Sequence, residues 1–235
     1  MSESDQWLDF RELLHLLQCS SLPQERIDTF SMRVATAGLV ARARFLGGLL
    51  PIYAILKGVD NCLFSARTIW TGEVQIGCTF QYHSKKDPGT QHICEATFLK
   101  SVPDSSYEVV LASHCLEHIA NPIRALQEWK RILVKDGLLV LVPAHKDGTF
   151  DWRRPVTPLE HMIEAHETNQ SEDDLTHLPE VLTLHDLEKD PPAGSPEQFK
   201  QRCLANSVNR AIHHHVFDTA AVVMLVYHVG LQLAR

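Results

Sequence analysis

Between residues 102 and 143 the chain changes sharply in its apolar pattern: VPDSSYEVVLASHCLEHIANPIRALQEWKRILVKDGLLVLVP. Residues 107–112 (YEVVLA) form a short apolar run that ends in polar Ser113 and His114, which predicts a buried strand. Ile123, Leu126, Trp129, Ile132 and Leu133 then recur at helical spacing. They predict a helix over 122–134, with Pro122 suited to its first turn. Lys130, Arg131 and Lys135 sit near its end, where the macrodipole favours cations. Asp136-Gly137 reads as the turn, with Gly137 suited to left-handed φ. Residues 138–142 (LLVLV) are a second apolar strand, stopped by Pro143. A strand–helix–strand unit of this kind implies two parallel strands with a right-handed crossover, buried on both faces. Ligands bind at the carboxyl ends of such strands, so Ser113, His114, Glu117 and His118 mark a candidate site.

The same residues carry a resemblance. Tyr107-Glu-Val-Val, Leu116-Glu-His, Asn121-Pro, Ala125-Leu, Glu128-Trp-Lys-Arg, Lys135-Asp-Gly and residues 138–143 together resemble the second half of a class I S-adenosylmethionine-dependent methyltransferase of the type 11 group. The resemblance is tight over roughly residues 90–145 and loose elsewhere. It implies an α/β fold: a Rossmann-like, mostly parallel sheet flanked by helices. It implies S-adenosylmethionine as cofactor and methyl transfer to a small-molecule or glycan-like acceptor. The bare residues fit any parallel strand–helix–strand unit, because fold alone does not fix function.

The resemblance also organises the rest of the chain. Residues 7–17 and 23–39 read as helices that would cap the sheet. Residues 42–48 (RARFLGG) take the place of the family's first strand and glycine-rich loop, with Gly47 and Gly48 at the cofactor. The family usually has a carboxylate two residues before the first glycine. Here that position is Phe45, so the loop is degenerate, and Gly47-Gly48 reads equally as a helix-ending turn. Residues 55–60 would finish a helix and form the second strand, placing Asp60 at its end to accept ribose hydroxyls. A surface turn at Asp60-Asn61 is the alternative. Residues 91–96 (QHICEA) would be the third strand, with Glu95 and Ala96 beside the adenine or, alternatively, in an exposed loop. The Ser113-His114 backbone would line the methionine end of the cofactor.

After Pro143 the pattern becomes irregular and rich in histidine. Residues 167–175 are acidic and read as solvated, and residues 191–196 read as a loop. Helices are expected over 198–212 and 218–227, the latter capped by Asp218 and ended by Gly230. Residues 231–234 would be a last strand; otherwise the fold lacks it, and an unpaired edge would favour an oligomer. The whole reads as one domain over 1–235: a helical cap (1–40), a cofactor-binding core (41–145) and a His-rich acceptor or lid region (146–235).

Composition narrows the function. With 235 residues, 44% of them hydrophobic, one domain can bury a core. A net charge of −7 gives no basic footprint for nucleic acid. Six cysteines without a C-x-x-C pair read as free thiols in a reducing, cytoplasmic setting. No signal peptide is evident at the N-terminus, and the longest apolar run, 220–227, is too short to cross a bilayer, so no membrane is expected.

Methyl transfer asks for in-line placement and exclusion of water, since the sulfonium is already a strong electrophile. An oxygen or nitrogen acceptor also needs its proton taken, and histidine suits that near neutral pH. His118 and His114 are the candidate bases, one helical step apart. The chain holds 14 histidines, including contiguous His213, His214 and His215. None falls in a known metal motif, so no metal ligands are named from sequence. An acceptor pocket lined by these histidines, or histidines bonded to backbone, fits the same residues. Residues 149–155 read as a lid or as a packed connector anchored by Phe150 and Trp152. Two other functions stay open: a non-catalytic methyltransferase-like module for binding or scaffolding, and a metal-dependent enzyme built on the His-rich region.

Overall fold

The computed structural model describes residues 33–37, 58–68, 72–74, 79–80 and 88–233. The strands in chain order are β1 (Arg33–Ala37), β2 (Gly58–Leu63), β3 (Arg67–Thr68), β4 (Gly72–Glu73), β5 (Thr79–Phe80), β6 (Gly89–Ile93), β7 (Tyr107–Ser113) and β8 (Leu133–Val142). The main sheet has the order β5-β6-β2-β1-β7-β8. All neighbours in it are parallel except the short β5, which runs antiparallel along the β6 edge. A β3–β4 ribbon stands apart.

The expected crossover is present. Helix α1 (Pro122–Ile132) joins β7 to β8, and Val109↔Leu138 through Ser113↔Val142 pair in parallel. Asn121 caps α1 by accepting from the Arg124 N–H at 3.0 Å, and Pro122 occupies the first turn. Ile123, Ala125, Leu126, Trp129 and Ile132 are buried against the sheet. Val109 to Ala112 of β7 are buried throughout, as a central parallel strand requires. The helix ends at Ile132 rather than 134, and β8 starts at Leu133, so the expected turn is an irregularity within the strand, where the register shifts between Tyr107↔Leu133 and Val109↔Leu138. Asp136, not Gly137, takes the left-handed conformation, with φ +61°. Gly137 answers a different need: an added Cβ would meet the Val134 carbonyl at 2.9 Å and the Glu108 carbonyl at 3.2 Å.

The first strand departs further. It lies at 33–37, inside the segment expected to be a helix over 23–39. The five residues RVATA are too few, and too mixed in polarity, to show the strict alternation that separates a strand from a helix turn. The expected helix at 7–17 and the segment 42–48, with Phe45, Gly47 and Gly48, lie outside the described residues.

Six helices complete the chain: α1, α2 (Leu159–Glu167), α3 (Leu178–Leu184), α4 (Pro196–Leu204), α5 (Asn206–Asn209) and α6 (Thr219–His228), counted among the described residues. The single helix expected over 198–212 is two, separated at Ala205, and Arg210 then turns left-handed. Ser195 and Gln198 form a capping box on α4. Asp218 caps α6 through the Ala221 N–H at 2.8 Å, and Gly230 follows with φ +71°, as expected. Residues 231–233 are not a strand, and no strand follows Val142 among the described residues. Lys130 of α1 instead donates to the carbonyls of Val229 and Gly230, tying the last turn of α6 to the crossover helix. Met162, Phe217, Ala221 and Leu225 join the sheet's core, and a smaller core forms around Val181, Phe199, Cys203 and Ile212.

Candidate functional site

Strand order sets the place. From β1 the chain moves outward through β2 to β6, then returns to the other side of β1 for β7 and β8. The crevice between the carboxyl ends of β1 and β7 is therefore the switch point where such sheets bind ligands. Ser113 ends β7, and His114 follows with φ +48°. The His114 N–H donates to the Val142 carbonyl at 2.8 Å, which fixes this kink against β8. Left-handed φ is uncommon outside glycine and is held here by that bond. A 3-10 turn, Leu116–His118, follows and buries Glu117 to 1% exposure. Glu117 Oε1 accepts from the Ala144 N–H at 3.3 Å and lies 3.6 Å from His114 Nδ1. Its other oxygen, Oε2, is buried with no hydrogen-bond donor among the described residues.

His114 and His118 do not share an environment. His114 keeps 36% of its side chain exposed at the strand end. His118 is turned inward: its Nδ1–H donates to the Ile212 carbonyl at 3.2 Å, and its ring packs edge-on against His213 at 4.4 Å. Burial, reinforced by neighbouring His213, holds the His118 pKa well below 6.5.

Asp60 is not at the end of its strand. It is the third residue of β2, which runs on to Leu63. Its Oδ1 accepts from the Thr90 N–H at 2.6 Å and its Oδ2 from the Tyr107 hydroxyl at 2.7 Å. The carboxylate thus joins β2 to β6 and β7, and Phe64 and Ser65 occupy the strand's carboxyl end. The third strand, expected over 91–96, lies at Gly89–Ile93, so Glu95 and Ala96 come just after β6 rather than within it. Glu95 pairs with Arg210 from the C-terminal half. Sequence places Gly38 directly after β1, so the position two residues before that glycine is Thr36, again not a carboxylate.

The His-rich half is knitted by buried polar groups. Arg154 is 1% exposed and donates to Asp151, Glu180 and the His213 carbonyl at 3.1, 2.7 and 2.9 Å. Asp151 also accepts from His213 Nδ1–H. Burial opposes ionisation of Asp151, but His213 and then Arg154 outweigh it and hold the carboxyl below the usual range. His214 Nε2 meets Asn206 at 3.0 Å and Glu172 at 3.2 Å. The His215 backbone N–H donates to the Glu117 carbonyl and its Nε2 meets the Ala120 carbonyl at 3.1 Å. His161 and His177 face each other, Nε2 to Nε2, at 2.9 Å.

These bonds revise two expectations. The acidic stretch 167–175 is not wholly solvated, since Glu172 accepts from the Ala120 N–H at 3.0 Å. Residues 149–155 are a packed connector held by Phe150 and Arg154, whereas Trp152 is 42% exposed. Asp151, Arg154 and Asn206 were not singled out for their contacts, because nothing local marks a buried polar partner.

A cleft of about 370 Å³ opens beside Glu95. Asn121, Arg124, Glu172, Asp173 and Arg210 line it with Glu95, so its walls are polar and of both charges.

Residues 78–141, just over a quarter of the chain, match the family model of the type 11 methyltransferase domain. This bears out the resemblance and supports S-adenosylmethionine as the cofactor. No curated protein matches the chain. Among solved structures, the YcgJ protein from Bacillus subtilis is 16% identical over 52% of this chain and 50% of its own, with a TM-score of 0.36. Phosphoethanolamine N-methyltransferase 2 from Haemonchus contortus, in complex with S-adenosyl-L-methionine, is 17% identical over 94% and 47%, with a TM-score of 0.38. The trans-methyltransferase CalH, in complex with SAH, is 17% identical over 56% and 40%, with a TM-score of 0.33. The chain thus spans two-fifths to one half of these proteins' lengths.

Proposed function

We propose that the chain transfers a methyl group from S-adenosylmethionine to a polar small-molecule or glycan-like acceptor. The observation that carries this reading is the family match over 78–141, which coincides with the β6–β7–α1–β8 side of the switch point. The cofactor supplies the electrophile. The chain's part is to place the acceptor in line with the methyl group and to take its proton. His114 is the better placed base: it stands at the carboxyl end of β7, partly exposed, with Glu117 at 3.6 Å to orient it. His118 is committed inward and serves the packing of that turn. The polar cleft beside Glu95 suits an acceptor with several hydroxyls.

Calorimetric titration with S-adenosylmethionine and S-adenosylhomocysteine tests the reading. Saturable heat with both is expected, and wild-type protein that gives none at millimolar ligand overturns it. With an acceptor in hand, His114→Ala should lower turnover by about 10²–10⁴-fold, the usual loss of a general base.

A non-catalytic binding module is the second reading. It is favoured by one observation: neither Phe45 nor Thr36 supplies the carboxylate expected before the family's first glycine. The same titration separates the two, because a module without the cofactor site gives no heat.

A further inference from the structure

Glu117, His118 and His213 converge from two separate segments. One ligand-type atom from each lies within 4.8 Å of the others. Glu117 and His118 sit in the 3-10 turn after β7, and His213 lies in the irregular segment before α6. A cluster of buried polar groups is no site by itself, but two further features of this one point to a cation.

The first is the orphan oxygen. Glu117 is 1% exposed; Oε1 is engaged by the Ala144 N–H, while Oε2 has no donor among the described residues. Leaving a buried carboxylate oxygen without a partner is costly, so such groups normally pair or coordinate metal. The second is the outer hydrogen bonding of the imidazoles. His118 Nδ1–H donates to the Ile212 carbonyl, and His213 Nδ1–H donates to Asp151. A ligating histidine is held in this way, its far nitrogen bonded to a carbonyl or carboxylate so that Nε2 coordinates. Asp151 is itself fixed by Arg154. The support around the set is thus complete: two oriented imidazoles and one half-satisfied carboxylate.

We propose that Glu117, His118 and His213 bind a divalent cation of the zinc class. Two imidazoles and a carboxylate suit zinc, and three protein ligands leave a fourth position open, as in catalytic zinc sites. Ligands about 2.0–2.1 Å from a tetrahedral zinc lie about 3.4 Å apart, so the set closes by rotamer adjustments of about an ångström. Bound there, the cation neutralises Glu117 and fastens the segment around His213 to the turn after β7. An acceptor hydroxyl entering the open position would lose its proton more readily. The site stands independently of cofactor binding, so the proposal and the methyltransferase reading fail separately.

The experiment uses the whole chain, stripped with a chelator and free of nucleoside. Zinc is titrated by calorimetry, and cobalt by its visible absorption. One equivalent of zinc should bind, with low-symmetry cobalt bands and a raised melting temperature. Glu117→Gln and His213→Ala should each weaken zinc at least 100-fold, whereas His145→Ala should bind as wild type. Should His213→Ala fail to fold, Glu117→Gln alone decides. No saturable zinc binding by wild-type protein overturns the proposal, as does unchanged affinity in Glu117→Gln. So does loss of the site in His177→Ala alone, which would place the cation at the His161–His177 pair.

Discussion

The sheet half and the histidine-rich half are enclosed by different means. In the sheet half the buried face of α1 is apolar, with Trp129 and Ile132 fully enclosed. In the C-terminal half the enclosed residues include Arg154, Asn206, His214 and His215. Apolar burial is non-directional and tolerates imprecision, whereas a buried polar group must meet its partner or be costly. The second half is therefore the more specified and the more fragile. Any site there is constrained by hydrogen bonds as well as by packing.

The sharpest way to break this comparison is to remove one anchor from each half. Trp129→Ala should cost about 3–5 kcal/mol through a large cavity. Arg154→Met should cost a similar ~3–5 kcal/mol for a different reason, because buried Asp151 loses its cation, while half-buried Glu180 adds little. The conservative variants separate the causes. Trp129→Phe should recover much of the loss. Arg154→Lys should recover little, since one ammonium cannot reproduce a planar fork that serves Asp151, Glu180 and the His213 carbonyl. Urea unfolding of the four variants decides, and an Arg154→Met midpoint equal to wild type removes the contrast.

The same contrast explains what was legible in the sequence. The β7–α1–β8 unit was readable because each element carries its own period and its cap lies one residue away. The candidate edge at Ser113 and His114 followed from it. β1 was misplaced because RVATA is short and lacks alternation. Asp60 was assigned to a strand end because the extent of β2 to Leu63 depends on pairing with β6, where Asn61 to Leu63 match Gln91 to Ile93. The polar network was unreadable for a stronger reason. His213 meets Asp151, His118 meets the Ile212 carbonyl and His215 meets the Ala120 carbonyl, and each pair is far apart in the chain. Histidine count signals neither the partner nor the tautomer. Glu117 and His118 were placed at the edge, but their convergence with His213 depends on the fold.

Acidification should sharpen the comparison next. Burial holds His118 and His215 neutral in the folded state, with pKa values well below 6.5. The unfolded chain protonates both near 6.5, so between that pH and their folded pKa values it binds more protons than the native state. Stability contributed by these groups is present above about 6.5 and is lost as pH falls, by up to about 1.4 kcal/mol per pH unit for each. Asp151, held below the usual carboxylate range, adds a loss in the same direction below the unfolded carboxylate pKa. Hydrogen exchange at pH 7.5 and 5.5 should show protection falling first around residues 210–217 and later in β7 and β8. Equal loss in both halves would mean that the buried histidines do not set the acid limit.

A smaller effect is expected at Asp60, where the two roles make opposite predictions. As a group joining three strands, Asp60→Ala should lower stability by about 1–3 kcal/mol, the cost of leaving the Thr90 N–H and the Tyr107 hydroxyl without their charged acceptor. Affinity for S-adenosylmethionine should then stay within about twofold of wild type, measured well below the variant's melting temperature. A loss of affinity without loss of stability would restore the ribose role.

The least effect on stability, but a specific one on reactivity, is expected at Cys94. Its Sγ lies 3.5 Å from Cys62 Sγ, across the carboxyl ends of β6 and β2. The hydrogen bond from Cys62 is the main cause that brings the Cys94 pKa down to about 7, while Cys62 itself is pushed up. Cys115 and Cys203 are raised by burial, so their thiolates form only at higher pH. Alkylation of native protein should therefore label Cys94 first among these four, with a rate that rises through about pH 7 and levels above it. Cys62→Ala removes the donor and should move that rise upward by one unit or more with little change in melting temperature. Peptide mapping after brief iodoacetamide treatment reads both outcomes. Equal labelling of Cys203 at pH 7 would show that exposure, rather than the Cys62 contact, governs thiol reactivity at this edge.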